Sequence, residues 1–176
     1  MNKTNSIIEH QLTERNVEVC KMNTTPSLNW KDLKTEWVLI DAKDQVVGKL
    51  ATVIANILRG KDQPNATHHV KNGKAVIVIN ADQVVFTGRK EREKKYYSHS
   101  QYQGGLKVTD PKTLRREGKA DRIIHKAVSG MLGRGRMAHQ LQSRLRVFTG
   151  SSHSHEGQKP TVLNIDFQTK KTKTNN

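Results

Sequence analysis

The sequence has a single cysteine, Cys20, so no disulfide can form within the chain. That suits a reducing compartment. No apolar run approaches the roughly 18 residues of a membrane span. The first eleven residues lack the sustained apolar core of a secretory signal, and Glu9, Glu14 and Glu18 are out of place in an acid-poor transit peptide. The expected location is therefore cytosolic, with no membrane partner. Aromatic residues make up 5% of the chain and apolar residues 34%, enough for one modest core. Acids are scarce: 16 Asp and Glu face 31 Lys and Arg, a net charge of +15. Repulsion of that size disfavours a compact isolated chain. A polyanion relieves it, and nucleic acid is the commonest one.

Catalytic and cofactor chemistry is missing too. The turn Asp41–Gly48 carries one glycine where a dinucleotide fingerprint needs three, and no P-loop GK[ST] follows. Gly48 is read instead as a point of close helix packing. His68-His69 and His153-Ser-His155 have no Cys or carboxylate cluster beside them, so no metal site is expected. Ser98, His99 and Asp110, or Ser151 and His153, can be assembled into a triad only by disregarding spacing, and no nucleophile elbow is present. Asp41 and Asp82 sit at expected strand ends, where α/β sites often lie, but neither has an acidic neighbour in sequence to hold magnesium. The chain is read as a non-enzyme with no cofactor and no small-molecule substrate.

The charge is unevenly placed. Residues 1–36 hold five basic and five acidic groups, so the rest of the chain carries the whole excess. Their Asn- and Thr-rich, weakly periodic composition suggests a flexible extension, with Met22 as an alternative start. Residues 37–165 read as one domain and 166–176 as a polar tail. Trp37–Asp41 is continuously apolar, as in a strand buried on both faces. A helix follows over about 46–59, apolar at Val47, Leu50, Ala51, Ile54, Ile57 and Leu58, and Gly60 closes it. Ala75–Ile79 is a second buried strand and Val84–Phe86 a short third one. Strand, helix, strand implies a parallel crossover. Asp110 as N-cap and Pro111 at the first turn open a further helix, Gly118 breaks it, and another helix runs over 120–131. Val162–Ile165 is read as extended. No internal repeat is found.

Two stretches carry the functional reading. In Arg89–Lys95 five of seven residues are basic (Arg89, Lys90, Arg92, Lys94, Lys95), and Tyr96, Tyr97, His99 and Tyr102 follow. Cations attract phosphate, and rings offer faces to unstacked bases. We read this as a protruding arm or loose hairpin, with Glu91 and Glu93 orienting neighbouring Arg and Lys. The second stretch is Val128–Gly150. Ile123, Ile124, Ala127, Val128 and Met131 form an apolar helical stripe, and Gly130 with Gly133–Arg136 is expected to break it. Met137 and Leu141 begin a second helix, and Leu145–Phe148 alternates as a strand. Arg134, Arg136, Arg144 and Arg146 along these elements form a scaffold for phosphates. No zinc finger, zipper or RNP signature is present. Charge on several separated segments suits a folded RNA recognised by shape and backbone.

Six pieces in order carry a family resemblance: WVLIDA at 37–42, VGKLATVIANILRGK at 47–61, THHVKNGKAVIVINADQVVFTG at 67–88, KYYSHSQYQGG at 95–105, AVSGML at 127–132 and RLRVFTGSSHSH at 144–155. Together they resemble the ribosomal protein L-thirteen family of the large subunit, in its bacterial or organellar form. The resemblance implies a three-layer α/β/α domain on a four-stranded, mainly parallel sheet. It also implies a structural role in the large ribosomal subunit, with early assembly through contacts to large-subunit rRNA and neighbouring ribosomal proteins. By position it carries RNA contacts onto Arg59, Lys61, His69, the arm Arg89–His99, Arg134, Arg136, His153 and His155. Two features depart from the family pattern. Gly133 stands where members usually have proline, and Ala138-His139 replaces a Gly-Arg, so the turn is expected to be looser. An extraribosomal mRNA-binding regulator would use the same basic surface. An RNA-processing enzyme would need Asp41 or Asp82 to hold magnesium.

Overall fold

A computed structural model describes residues 35–165. Cys20, Met22, nearly all of the expected extension and the 166–176 tail lie outside the described residues. The strands are β1 (Trp37–Asp41), β2 (Ala75–Ile79), β3 (Tyr96–His99), β4 (Leu106–Thr109), β5 (Leu145–Val147) and β6 (Thr161–Leu163). The helices are α1 (Val47–Arg59), α2 (Lys90–Glu93), α3 (Pro111–Arg116), α4 (Asp121–Leu132) and α5 (Arg136–Gln142). β5, β2, β1 and β6 form one sheet in that order. All three of its pairings are parallel, which gives the expected α/β class. β3 and β4 form a separate antiparallel hairpin.

The core follows from the apolar spacing. α1 turns Val47, Leu50, Ala51, Ile54, Ala55, Ile57 and Leu58 inward. They meet Val38, Ile40, Val76 and Val78 from the sheet and Ile123, Ile124, Val128 and Leu132 from α4. β2 is the central apolar strand, and its first four residues are fully buried. Gly60 ends α1 in the left-handed conformation (φ 72°), and its N–H caps the Ile57 carbonyl.

Several expectations fail for local reasons. β1 is not buried on both faces. Val38 and Ile40 are buried and face the helices, but Trp37 and Leu39 on the other face are half-buried, and the His155 ring there covers only Trp37. Val84–Phe86 forms no ladder. Val85 makes a single parallel bridge to Val46, and a 3-10 turn over Ala81–Gln83 leads into it. Gly130 does not break α4, which runs through it to Leu132 and stops at Gly133. Met131, placed in the apolar stripe, is 39% exposed, and Leu132 takes the buried position. A Cβ at Gly48 would meet nothing within 4 Å, so that glycine serves no close packing. Asp110 occupies the N-cap of α3 but makes no side-chain cap hydrogen bond.

Candidate nucleic-acid interface

The arm is a built element. Arg89 starts the short α2, and the chain then enters the β3–β4 hairpin. Alternation along a strand sends neighbouring side chains to opposite faces. Tyr97 pairs with Val108 and His99 with Leu106, which puts these four on one face. Tyr97 is 62% exposed there, beside exposed Leu106 and Val108. Tyr96 goes the other way and packs against the core. Burial raises its pKa, with Arg115 opposing and Glu91 adding. The tyrosines therefore divide: Tyr97 and Tyr102 are exposed, and Tyr96 roots the strand. His99 accepts the Gln101 N–H on Nδ1 at 3.0 Å and so shapes the hairpin turn. Lys94 lies over the Tyr96 ring at 5.5 Å. Arg89, Lys90, Arg92, Lys94 and Lys95 of the arm are all exposed.

One arginine with no part in the sequence expectations fixes this arm to the domain. Arg115 on α3 donates from Nη1 to Glu91 Oε1 at 2.8 Å and from Nη2 to the Val84 carbonyl at 2.6 Å. Its guanidinium also lies 5.9 Å from the centre of the Phe86 ring. Glu91, expected to orient its basic neighbours, is instead the arm's anchor to α3. Nothing in the local sequence signals this, because the partners are 24 residues apart.

A second cluster forms where the 62–73 loop faces the turn between α4 and α5. Arg59, Lys61, His68, Gly135 and Met137 line a common cleft of about 300 Å³. Arg59 is half-buried and donates to the Met131 carbonyl at 2.8 Å, which ties the end of α1 to the end of α4. His68, rather than His69, lines the cleft. Arg134 and Arg136 flank it, both exposed. Gly133 leaves α4 at φ 94°, a conformation closed to the proline usual in the family, whose ring fixes φ near −65°. His139 is exposed on α5.

The remaining residues separate into support and surface. Arg144 donates to the carbonyls of Lys71 and Gly73 at 3.0 and 2.8 Å. It is half-buried, and burial lowers its pKa. Its work is internal: it holds the cleft loop against β5. Arg146, two residues along the strand, is exposed. His155 stacks on Trp37 at 5.6 Å and meets Phe148 edge-on at 5.8 Å; His153 lies 6.3 Å from Phe148. His153 Nδ1 accepts the His155 N–H at 3.2 Å. These two histidines pack the segment leading to β6 against the sheet. Asp41, the carboxylate an enzyme would have needed, accepts from Asn80 Nδ2 at 2.8 Å and from the Lys43 N–H at 3.0 Å.

Taken together, these features define a basic α/β scaffold that displays cations on a braced arm and around a loop cleft. Comparison with known proteins makes the class specific. Residues 35–154 match the family described as "Ribosomal protein L13". The chain is 44% identical over 134 residues to the large ribosomal subunit protein uL13 of Cereibacter sphaeroides, covering 76% of this chain and 87% of that one. It is 46% identical over 138 residues to the uL13 of Bartonella bacilliformis, covering 78% and 90%. With the uL13 of Anaplasma phagocytophilum it shares 48% over 141 residues, covering 80% and 89%. The chain belongs to the ribosomal protein L13 family, whose members are ribosomal structural proteins and not enzymes.

Proposed function

We propose that this protein is a structural constituent of the large ribosomal subunit in the cytoplasm, where it binds large-subunit rRNA and supports early assembly beside neighbouring subunit proteins. In this reading, residues 37–165 are the RNA-binding domain and the two ends are appendages. The observation that carries the proposal is the braced basic arm. Its cations face outward, yet Arg115 fixes the element that bears them to the core. The charge balance supports it. Residues 35–165 hold 23 Lys and Arg against 11 Asp and Glu, so internal pairing cannot neutralise the surface. The names of the relatives point to the same subunit.

Lys61, Arg89, Lys90, Arg92, Lys94, Lys95, Arg134, Arg136 and Arg146 contact phosphate in this account, and Tyr97 and His99 contact base or sugar. Arg59, Arg144, Tyr96, His153 and His155 hold these surfaces in place; His69 stays with the phosphate-facing loop. The mechanism is electrostatic: each neutralised phosphate releases counterions. If roughly 6–10 phosphates are engaged, affinity should fall about 10³- to 10⁵-fold between about 50 and 200 mM salt. Filter binding with an rRNA fragment measures this, and a salt-insensitive affinity rules it out. Replacing Lys94, Lys95 and Tyr97 together by alanine should weaken binding while leaving the thermal midpoint in place. Unchanged binding by a folded variant would contradict the assignment of the hairpin.

A further inference from the structure

We infer that the cleft between the 62–73 loop and α5 receives one unstacked nucleotide of a bound RNA, its base on the apolar floor and its phosphate on the cationic rim. The inference rests on the RNA-binding reading above and adds to it a defined nucleotide site away from the hairpin. The space, about 300 Å³, is at the small end of the range for small-ligand sites, about 300–1,000 Å³. Its floor is the buried Leu132, Ala138 and Leu141, with the Met137 thioether at the edge. Such a surface suits a flat ring, and a sulfur makes favourable contacts with π systems.

The charged groups that line that floor are both cationic. Arg59 and Lys61 stand at the cleft with the His68 ring beside them, and no carboxylate among the described residues lines it. The flanking Arg134 and Arg136 extend the same sign of charge along the turn. Thr67 supplies the remaining feature. Its Oγ1 is buried and has no hydrogen-bond partner among the described residues, and Thr67 lines this cleft. Buried polar atoms are almost always paired, so this covered hydroxyl has a bond to give to what enters the cleft once the 62–73 loop shifts to expose it. A hydroxyl both donates and accepts, and the edge of a nucleobase offers both. Unstacked bases with their edges hydrogen-bonded are how single-stranded RNA is read. An apolar floor, one orphan hydroxyl and a rim with Arg59 and Lys61 match a nucleotide in each part.

The test is ultraviolet crosslinking of the full-length protein within its purified RNA–protein particle, with adducts mapped by mass spectrometry. The parent is compared with Thr67→Val and with Ala66→Trp. Ala66 is exposed and lines the cleft, so a tryptophan there fills the space without entering the core. Thermal midpoints confirm that both variants fold. The expected result is a nucleotide adduct on residues 66–70 or 137–141, reduced at least about tenfold in Ala66→Trp and weakened in Thr67→Val, while hairpin adducts persist. Adducts confined to the hairpin would overturn the cleft assignment and leave the RNA-binding reading standing. So would an adduct that Ala66→Trp leaves unchanged, or an acidic peptide recovered in the cleft. Protein recovered without RNA and without adducts anywhere would overturn both.

Discussion

Gly73 sits where the 62–73 loop crosses the end of α1 and rejoins the sheet. A Cβ built there would overlap the Leu58 carbonyl and lie 2.6 Å from the Ile57 oxygen. Both are backbone atoms of a packed helix, so in Gly73→Ala either the loop or the last turn of α1 must shift. Forced overpacking of this kind costs about 1–3 kcal/mol. The shift also strains what is tied to the loop. Arg144 donates to the Gly73 and Lys71 carbonyls, and the Lys74 N–H donates to Ile57 O at 3.2 Å. A hydrogen bond from a charged group contributes about 1.5–3 kcal/mol. Together these put the expected loss at roughly 3–5 kcal/mol, a large part of a typical total of about 5–15. For a domain of about 130 residues each kcal/mol moves the midpoint by about 3–4 °C, so Gly73→Ala should melt roughly 9–20 °C below the parent. Thermal unfolding followed by far-ultraviolet circular dichroism is the assay. The control is Gly48→Ala, at an exposed helical position with open space around it, which should raise stability by up to about 1 kcal/mol. A Gly73→Ala midpoint within about 2 °C of the parent would show that no such clash exists, as would equal losses at both glycines.

Other substitutions separate the remaining roles. Arg115→Met removes the donor to Glu91 and Val84. It should cost about 1–3 kcal/mol and speed hydrogen exchange in β3 and β4 first; uniform protection across the domain would contradict the bracing role. Arg144→Met should lower the thermal midpoint, whereas Arg134→Met and Arg136→Met should spare it. Those two should instead reduce the salt slope of RNA binding by about 0.7–0.9 for each phosphate no longer neutralised; the reverse pattern would exchange the roles assigned here. His125, half-buried on α4, bears on pH. Burial pushes its pKa below the ordinary 6.5, with Asp121 opposing and Arg146 adding to the drop. On acidification the unfolded chain therefore takes up this proton first, so stability present above about pH 6.5 falls away as pH drops toward the folded value. His125→Gln should flatten the acid side of the stability profile, and an unchanged profile in that variant would remove His125 from the account.

What the sequence made legible tracks how local each cause is. β2, the closure of α1 by Gly60 and the helix opened by Pro111 depend on neighbours in sequence, and all appear where expected. The end of α4 shows the limit. Gly130 and Gly133 look equally able to break a helix, and only the positive φ at Gly133 tells them apart. Val84–Phe86 has the composition of a strand but finds only one bridging partner, Val46. Charge and aromatic content located the hairpin, whereas its rooting through Tyr96 and Arg115 depends on packing across the fold. The same holds for the arginines. Arg144 and Arg146 are indistinguishable in sequence, yet one is spent on loop carbonyls and the other faces outward. His153 and His155 came from the family resemblance, and their stacking on Trp37 and Phe148 has no local signature. Thr67 and His68 gained meaning only once α5 was placed opposite them.

Whether this chain is an integral part of the large ribosomal subunit is decided by sedimenting the tagged full-length protein from lysate on a sucrose gradient after a high-salt wash. Stoichiometric recovery with large subunits is the outcome that the proposed function predicts. Recovery only in the light fractions, with subunits intact and lacking the protein, would contradict it.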